Sequence, residues 1–193
     1  MIVLGLTGSI GMGKSTTAEF FREEGIPVFD ADATVHKLYA GKAVASIEKR
    51  FPKAIINGQV SRSELASALM KDPIGFPDLE KIIHPLVRQE ELEFIEMNRH
   101  KGRKIVVLDI PLLFESGGDK LCDKTIVVTA PENVQKKRVL SRPGMTAEKF
   151  AQLLSRQLSD ADKRDRADFL VFTHKGMAAA KQQVRDILSS LLK

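Results

Sequence analysis

Eight residues near the start of the chain, Gly8-Ser9-Ile10-Gly11-Met12-Gly13-Lys14-Ser15, follow the spacing G-x-x-x-x-G-K-S. That order suits one task, the holding of a string of phosphates. Glycines let the backbone turn successive N–H groups toward phosphate oxygens. A helix opening at Lys14 would aim its positive end at the same point. The Lys14 ammonium would bridge the β- and γ-phosphates and offset charge as a phosphoryl group moves. The Ser15 hydroxyl would ligate Mg²⁺, and backbone amides from Gly11 through Met12 and Gly13 to Thr16 complete the cradle. GTPases, motor ATPases and small-molecule kinases share such a loop, so it names the donor and not the acceptor. No N-K-x-D segment that reads guanine occurs, and 193 residues are few for a motor core. A phosphotransferase that uses ATP-Mg²⁺ on a small molecule is the favoured reading.

Acceptor chemistry calls for a base and for anion-binding cations. Asp30-Ala31-Asp32 follows the strand-like run Pro27-Val28-Phe29. In a parallel sheet such a turn lines the ligand crevice, where a carboxylate could take the proton of an attacking hydroxyl. Asp32, two residues past the strand, is the better-placed base; both aspartates could instead cap the next helix. Asp109 ends another apolar run and stands either near the magnesium or as a turn former before Pro111. His84-Pro85-Leu86-Val87-Arg88 reads as a helix start, from which Arg88 could reach an acceptor phosphate. Arg138 and Arg142 lie one helical turn apart beside Pro143-Gly144 and could close over the ATP phosphates. Arg156, Arg164 and Arg166 read as solvated.

The elements that must position these groups alternate. Strands are expected at Ile2-Val3-Leu4, Pro27–Phe29, Lys104–Asp109, Lys124–Thr129 and Phe169–Phe172, with helices from Lys14 to a Gly25 cap, from Pro131 to Ser141, through 146–166, and along the final segment. That order argues for a parallel α/β sheet. Residues 31–102 look instead like a helical insertion, broken at Gly41, Pro52, Asn57-Gly58, Pro73, Pro77 and Pro85. Ser61 and Glu64 fit a capping box there.

Composition narrows the partners. The formal net charge is +5, with one Tyr, no Trp and one Cys. A basic balance fits nucleic acid or a small polyanion, and the absence of basic stretches interleaved with aromatics favours the polyanion. Cys122 has no internal partner and reads as an ordinary reduced thiol. The apolar start MIVLGLTGS is short for a signal peptide, and no apolar run approaches the length of a bilayer span. A cytoplasmic protein, bound to neither nucleic acid nor membrane and monomeric, is expected.

In this order, Gly-Ser-Ile-Gly-Met-Gly-Lys-Ser, Asp30-Ala31-Asp32, Ile83-His84-Pro85-Leu86-Val87-Arg88 and Pro111-Leu112-Leu113-Phe114-Glu115 resemble the dephospho-CoA kinase family. The stretch Lys137–Arg142, Thr146, Gln157 and Ala167-Asp168 are similar too. The resemblance spans essentially the whole chain. It implies transfer of the ATP γ-phosphoryl group to the ribose 3′-hydroxyl of dephospho-CoA, giving CoA and ADP. It also implies a P-loop NTPase-type three-layer fold with a five-stranded parallel sheet. The core would comprise 1–30, 103–140 and 168–193, with a helical substrate domain at 31–102 and a helical lid at 141–167. Asp32 matches the family's base. His84, Arg88, Leu112, Leu113, Phe114 and Glu115 match its acceptor region, and Arg142 its lid arginine. Two positions depart from the pattern. Met12 replaces a small residue where bulk would crowd the phosphates, and Thr173-His174-Lys175-Gly176 stands where Asn before Gly is common on the adenine side. The rivals are another P-loop kinase, acting on a nucleoside, nucleotide or shikimate-like acid, and an ATP-dependent nucleic-acid-binding module.

Overall fold

The computed structural model describes residues 1–72 and 74–192. In chain order these form β1 (Ile2–Thr7), α1 (Lys14–Glu23), β2 (Val28–Asp30), α2 (Ala31–Tyr39), α3 (Val44–Arg50), β3 (Ile55–Ile56) and β4 (Gln59–Val60). Next come α4 (Arg62–Lys71), α5 (Gly75–His100), β5 (Ile105–Asp109), β6 (Lys124–Thr129), α6 (Glu132–Leu140), α7 (Ala147–Leu154), α8 (Asp160–Arg166), β7 (Phe169–Phe172) and α9 (Met177–Leu191). They divide into two compact units, Met1–Phe29 with Met97–Lys193, and Asp30–Glu96.

The first unit is built on a five-stranded parallel sheet of order β2-β5-β1-β6-β7. Side chains alternate between its faces. Leu4, Leu6, Ile105, Val107, Ile126 and Val128 share one core cluster with Phe21 of α1 and Val184 of α9. The intervening Val3, Val106, Leu108 and Val127 are equally buried, which is why these strands read as unbroken apolar runs. Gly5 is small for a packing reason: a Cβ there would lie 2.7 Å from both Leu113 Cδ2 and Cys122 Sγ. The Cys122 thiol therefore helps to fill the sheet. The expected strands of this unit all form, with ends moved by a residue or two, except that β1 runs three residues further than Leu4, to Thr7; the helical segment expected through 146–166 is interrupted at 155–159. Gly25, at φ 75°, ends α1 as anticipated, its N–H bonding Arg22 O and that of Ile26 bonding Phe21 O. Residues 141–167 fall within this unit and hold two helices, α7 and α8.

The second unit has its own core of Leu38, Ile47, Phe51, Val60, Leu65, Leu69 and Ile83. Two features differ from a purely helical reading. Asn57 (φ 51°) and Gly58 (φ 73°) make the tight turn of a two-stranded antiparallel hairpin, β3–β4, a conformation that Asn-Gly is suited to adopt. His84-Pro85 also does not open a helix. It lies midway along α5, which starts nine residues earlier at Gly75. Pro77 is tolerated in the first turn, whose N–H groups have no intrahelical partner. Pro85 removes one internal bond from a helix of 26 residues, and the remaining bonds carry it. Ser61 caps α4 through Glu64 N at 3.4 Å, as its spacing with Glu64 predicts. The break expected at Pro73 lies outside the described residues. Among the described residues, no helix is long and apolar enough to cross a membrane.

Candidate active site

Strand β1 ends at Thr7, whose hydroxyl donates to Pro111 O at 2.9 Å. The chain then turns through Gly8–Gly13 into α1. Gly11 and Gly13 have φ of 80° and 97°, a region that side chains rarely enter. Gly13 occupies the N-cap position without a side chain to cap the first turn, which leaves the amide donors of that turn to an outside acceptor. Space around the loop is equally restricted. A Cβ on Gly8 would meet Val128 O at 2.7 Å, and one on Gly11 would collide with Val139.

Met12 corrects one expectation. Its side chain is only 2% exposed and its sulfur accepts from Ala130 N at 3.2 Å, so the bulk points into the protein and away from the loop's open side. Its N–H donates to Ser9 O at 3.1 Å and its carbonyl accepts from Thr173 Oγ1 at 2.7 Å. Met12 therefore shapes the loop, whereas a phosphate-binding amide had been expected of it.

The neighbouring strand brings in a carboxylate. Leu6 pairs in register with Asp109, and Asp109 Oδ1 lies 2.6 Å from Lys14 Nζ, with both side chains largely buried. Ser15 and Thr16 are exposed in the first turn of α1. Arg138 on α6 donates to Thr173 Oγ1 (2.8 Å), Thr173 O (3.0 Å) and Gly11 O (3.5 Å), tying the loop to the end of β7. Beside it is a cavity of about 330 Å³ lined by Gly11, Gly13, Thr16, Arg138, Arg142 and Thr173, among others. Ligand pockets start at about this size.

The structure thus gathers Gly11, Gly13, Lys14, Ser15, Thr16, Arg138 and Arg142 around one loop. It also joins three more residues to the loop: Thr173 and Gln157, which the resemblance touched without giving them a role, and Gln135, which it did not. Thr173 is a working partner of Arg138 and Met12. Gln135 donates to Ile10 O at 2.8 Å, and Gln157 accepts from Ile10 N at 3.3 Å. Gln135 carries a faint signal in the sequence, a polar residue one turn before buried Val139 on the same face of α6.

Other expected residues take different positions. Leu113 is fully buried and Phe114 is 8% exposed; the Leu113 side chain packs at Gly5 and serves the core, contrary to the expectation of ligand contact. Leu112 remains exposed. Glu115 is an anchor: its Oε1 accepts from Leu158 N at 2.8 Å and lies 3.0 Å from Nζ of the fully buried Lys163. In the second unit Asp30 caps α2, accepting from Ala33 N at 2.8 Å, and Asp32 stands exposed in the first turn. His84 is exposed on α5. Arg88 lies 3.3 Å from Glu91, whose carboxyl is pushed above its usual range by burial and drawn back partway by the arginine.

Among the described residues, no group of three or more His, Cys, Asp or Glu side chains could hold a metal. The exposed Ser15 hydroxyl and the Asp109 carboxylate are hard oxygen donors, the type Mg²⁺ takes when most of its shell comes from phosphate and water.

Comparison with known proteins agrees with the loop and extends beyond it. Residues 2–178 match the family model for CoaE, dephospho-CoA kinase. The dephospho-CoA kinase of Agrobacterium fabrum is 52% identical over 191 residues, covering 99% of this chain and 98% of the relative. The crystal structure of TT1252 from Thermus thermophilus superposes with a TM-score of 0.86 at 32% identity, covering 100% of this chain and 98% of that one. A dephospho-CoA kinase from Campylobacter jejuni shares the fold, with a TM-score of 0.69 at 23% identity over 98% of this chain and 96% of that one.

Proposed function

The chain belongs to the dephospho-CoA kinase family, and from that premise we infer that it phosphorylates the ribose 3′-hydroxyl of dephospho-CoA with ATP, yielding CoA and ADP in the last step of CoA synthesis. One observation carries the acceptor: the family match runs through residues 2–178. It therefore includes the acceptor-side segments 30–32, 84–88 and 111–115 as well as the generic loop.

The residues divide the work as follows. Amides of Gly11 and of Gly13 through Thr16 grip the ATP phosphates, and Lys14, now against Asp109, supplies the ammonium that neutralises charge on the transferring group. Arg142 and Arg138, which line the same cavity as the loop, add positive charge there. Mg²⁺, held by Ser15 with Asp109 nearby, would supply electrostatic stabilisation of the phosphates. Asp32 orients and deprotonates the attacking hydroxyl. Arg88 binds an acceptor phosphate with His84 beside it on α5, and Leu112 lines the acceptor region. Segment 141–167 acts as a lid that excludes water from the transfer. The protein works as a monomer in the cytoplasm and needs neither nucleic acid nor a membrane.

The test is a coupled ADP-release assay across dephospho-CoA, shikimate, adenosine and AMP. ADP release with dephospho-CoA alone is expected. Asp32→Asn should keep ATP affinity and lose turnover by about 10²-fold or more. Release driven equally by another acceptor would overturn the acceptor, and near-normal turnover in Asp32→Asn would overturn the base.

A further inference from the structure

Both backbone hydrogen-bonding groups of a single residue in the phosphate loop, Ile10, are held by side chains: its N–H in the Ser9–Ile10 peptide and its C=O in the Ile10–Gly11 peptide. Ile10 O accepts from Gln135 Nε2 at 2.8 Å, and Ile10 N donates to Gln157 Oε1 at 3.3 Å. A carbonyl only accepts and a backbone N–H only donates, so the partners dictate which end each glutamine amide presents. Gln135 is 5% exposed, and burying an amide this deeply is costly unless it is bonded. The two side chains arrive from opposite flanks of α7: Gln135 from α6, and Gln157 from the turn before α8. Each sits in a tied-down segment. Arg138, one turn from Gln135, reaches Gly11 O and Thr173, while Leu158, next to Gln157, donates to Glu115. Ile10 lies directly before Gly11, where the loop takes its left-handed turn.

We propose that Gln135 and Gln157 are positioning residues for phosphoryl transfer. They hold the two peptide planes that flank the Ile10 Cα, Gln157 the Ser9–Ile10 plane and Gln135 the Ile10–Gly11 plane that carries the Gly11 N–H, and thereby set the direction of the loop amides that follow. The loop glycines are permissive at φ, so the peptide plane ahead of them needs outside restraint. The same clamp ties the segment carrying α7 to the loop, so that displacing either flank turns the loop amides away from the phosphates. The inference rests on the reading of the loop as an ATP cradle and is independent of the acceptor.

Because the two side chains restrain adjacent peptide planes that share the Ile10 Cα, their losses should not add. Affinity for mant-ATP with Mg²⁺ is measured in the full chain for Gln135→Leu, Gln157→Leu and the double variant. Amide exchange is followed by NMR at Ile10 and along β1. Each single variant is expected to weaken mant-ATP about three- to tenfold, the range of one hydrogen bond. The double variant should lose little more than the weaker single. Ile10 N–H exchange should quicken in both single variants, although only Gln157 touches that group, while the β1 amides stay unchanged. Losses that multiply in the double variant, unchanged exchange at Ile10, or exchange that quickens equally along β1 would each overturn the clamp. Failure of the parent protein to bind mant-ATP would refute the cradle itself.

Discussion

Replacing Glu115 with Gln removes one charge and almost no volume. Lys163 Nζ is fully buried and its one electrostatic partner among the described residues is Glu115 Oε1 at 3.0 Å; the ammonium has no well-aligned hydrogen bond there. Glu115 is 16% exposed and also accepts from Leu158 N at 2.8 Å, a bond that the amide oxygen of Gln can keep. The substitution therefore isolates the loss of countercharge against an ammonium cut off from water. Breaking a buried pair in this way costs about 3–5 kcal/mol. At about 2–4 °C per kcal/mol for a chain of this size, the melting temperature should drop by roughly 6–20 °C. Lys163→Met should cost about 1–3 kcal/mol, because the carboxylate left behind keeps Leu158 N on Oε1 while its buried Oε2 has no hydrogen bond. The double variant should be more stable than Glu115→Gln alone, since no buried charge then lacks a partner. Urea unfolding followed by far-UV circular dichroism provides these values. A cost under about 1 kcal/mol for Glu115→Gln, or a double variant as unstable as the sum of the singles, would refute the anchor.

Two further outcomes follow from local geometry. Burial alone would raise the Asp168 carboxyl, but Lys124 at 2.8 Å and the amide and hydroxyl of Thr125 outweigh it and hold the group below its ordinary range. A depressed acid contributes stability that is present above its unfolded value of 3.8 and is lost as pH falls through its folded one. Melting temperature should thus fall more steeply below about pH 4 in the parent than in Asp168→Asn; parallel curves would contradict the assignment. Gly8→Ala forces a methyl group to 2.7 Å from Val128 O and should cost about 1–3 kcal/mol with weakened ATP affinity. Gly41→Ala, at a glycine of ordinary φ whose nearest atom is Lys37 O at 3.5 Å, should be neutral or stabilising by about 0.4–1 kcal/mol. Equal losses at the two glycines would overturn the steric account.

The central strands β1, β5 and β6 were legible because they are buried on both faces and so read as apolar runs, and Gly25 marked the end of α1 because its left-handed φ favours glycine. The phosphate loop was legible for a related reason, since its glycines and lysine are local in sequence. The β3–β4 hairpin carried a readable Asn57-Gly58 signal that the surrounding helical pattern obscured. The start of α5 was hidden because prolines at 77 and 85 resemble breaks, although one sits in a first turn and the other is outweighed by the length of the helix. The burial of Met12 and the clamp on Ile10 were invisible. Ala130, Thr173, Gln135 and Gln157 are more than a hundred residues distant in sequence, and only the sheet order brings them to the loop.

The most direct test of the account is to incubate the purified chain with ATP, Mg²⁺ and dephospho-CoA and locate any new phosphate by mass spectrometry and ³¹P NMR. The account predicts stoichiometric ADP and one added phosphate on the ribose 3′-oxygen, with product formation abolished by Lys14→Ala. Phosphate on another atom, ADP without a phosphorylated acceptor, or undiminished product from Lys14→Ala would contradict it.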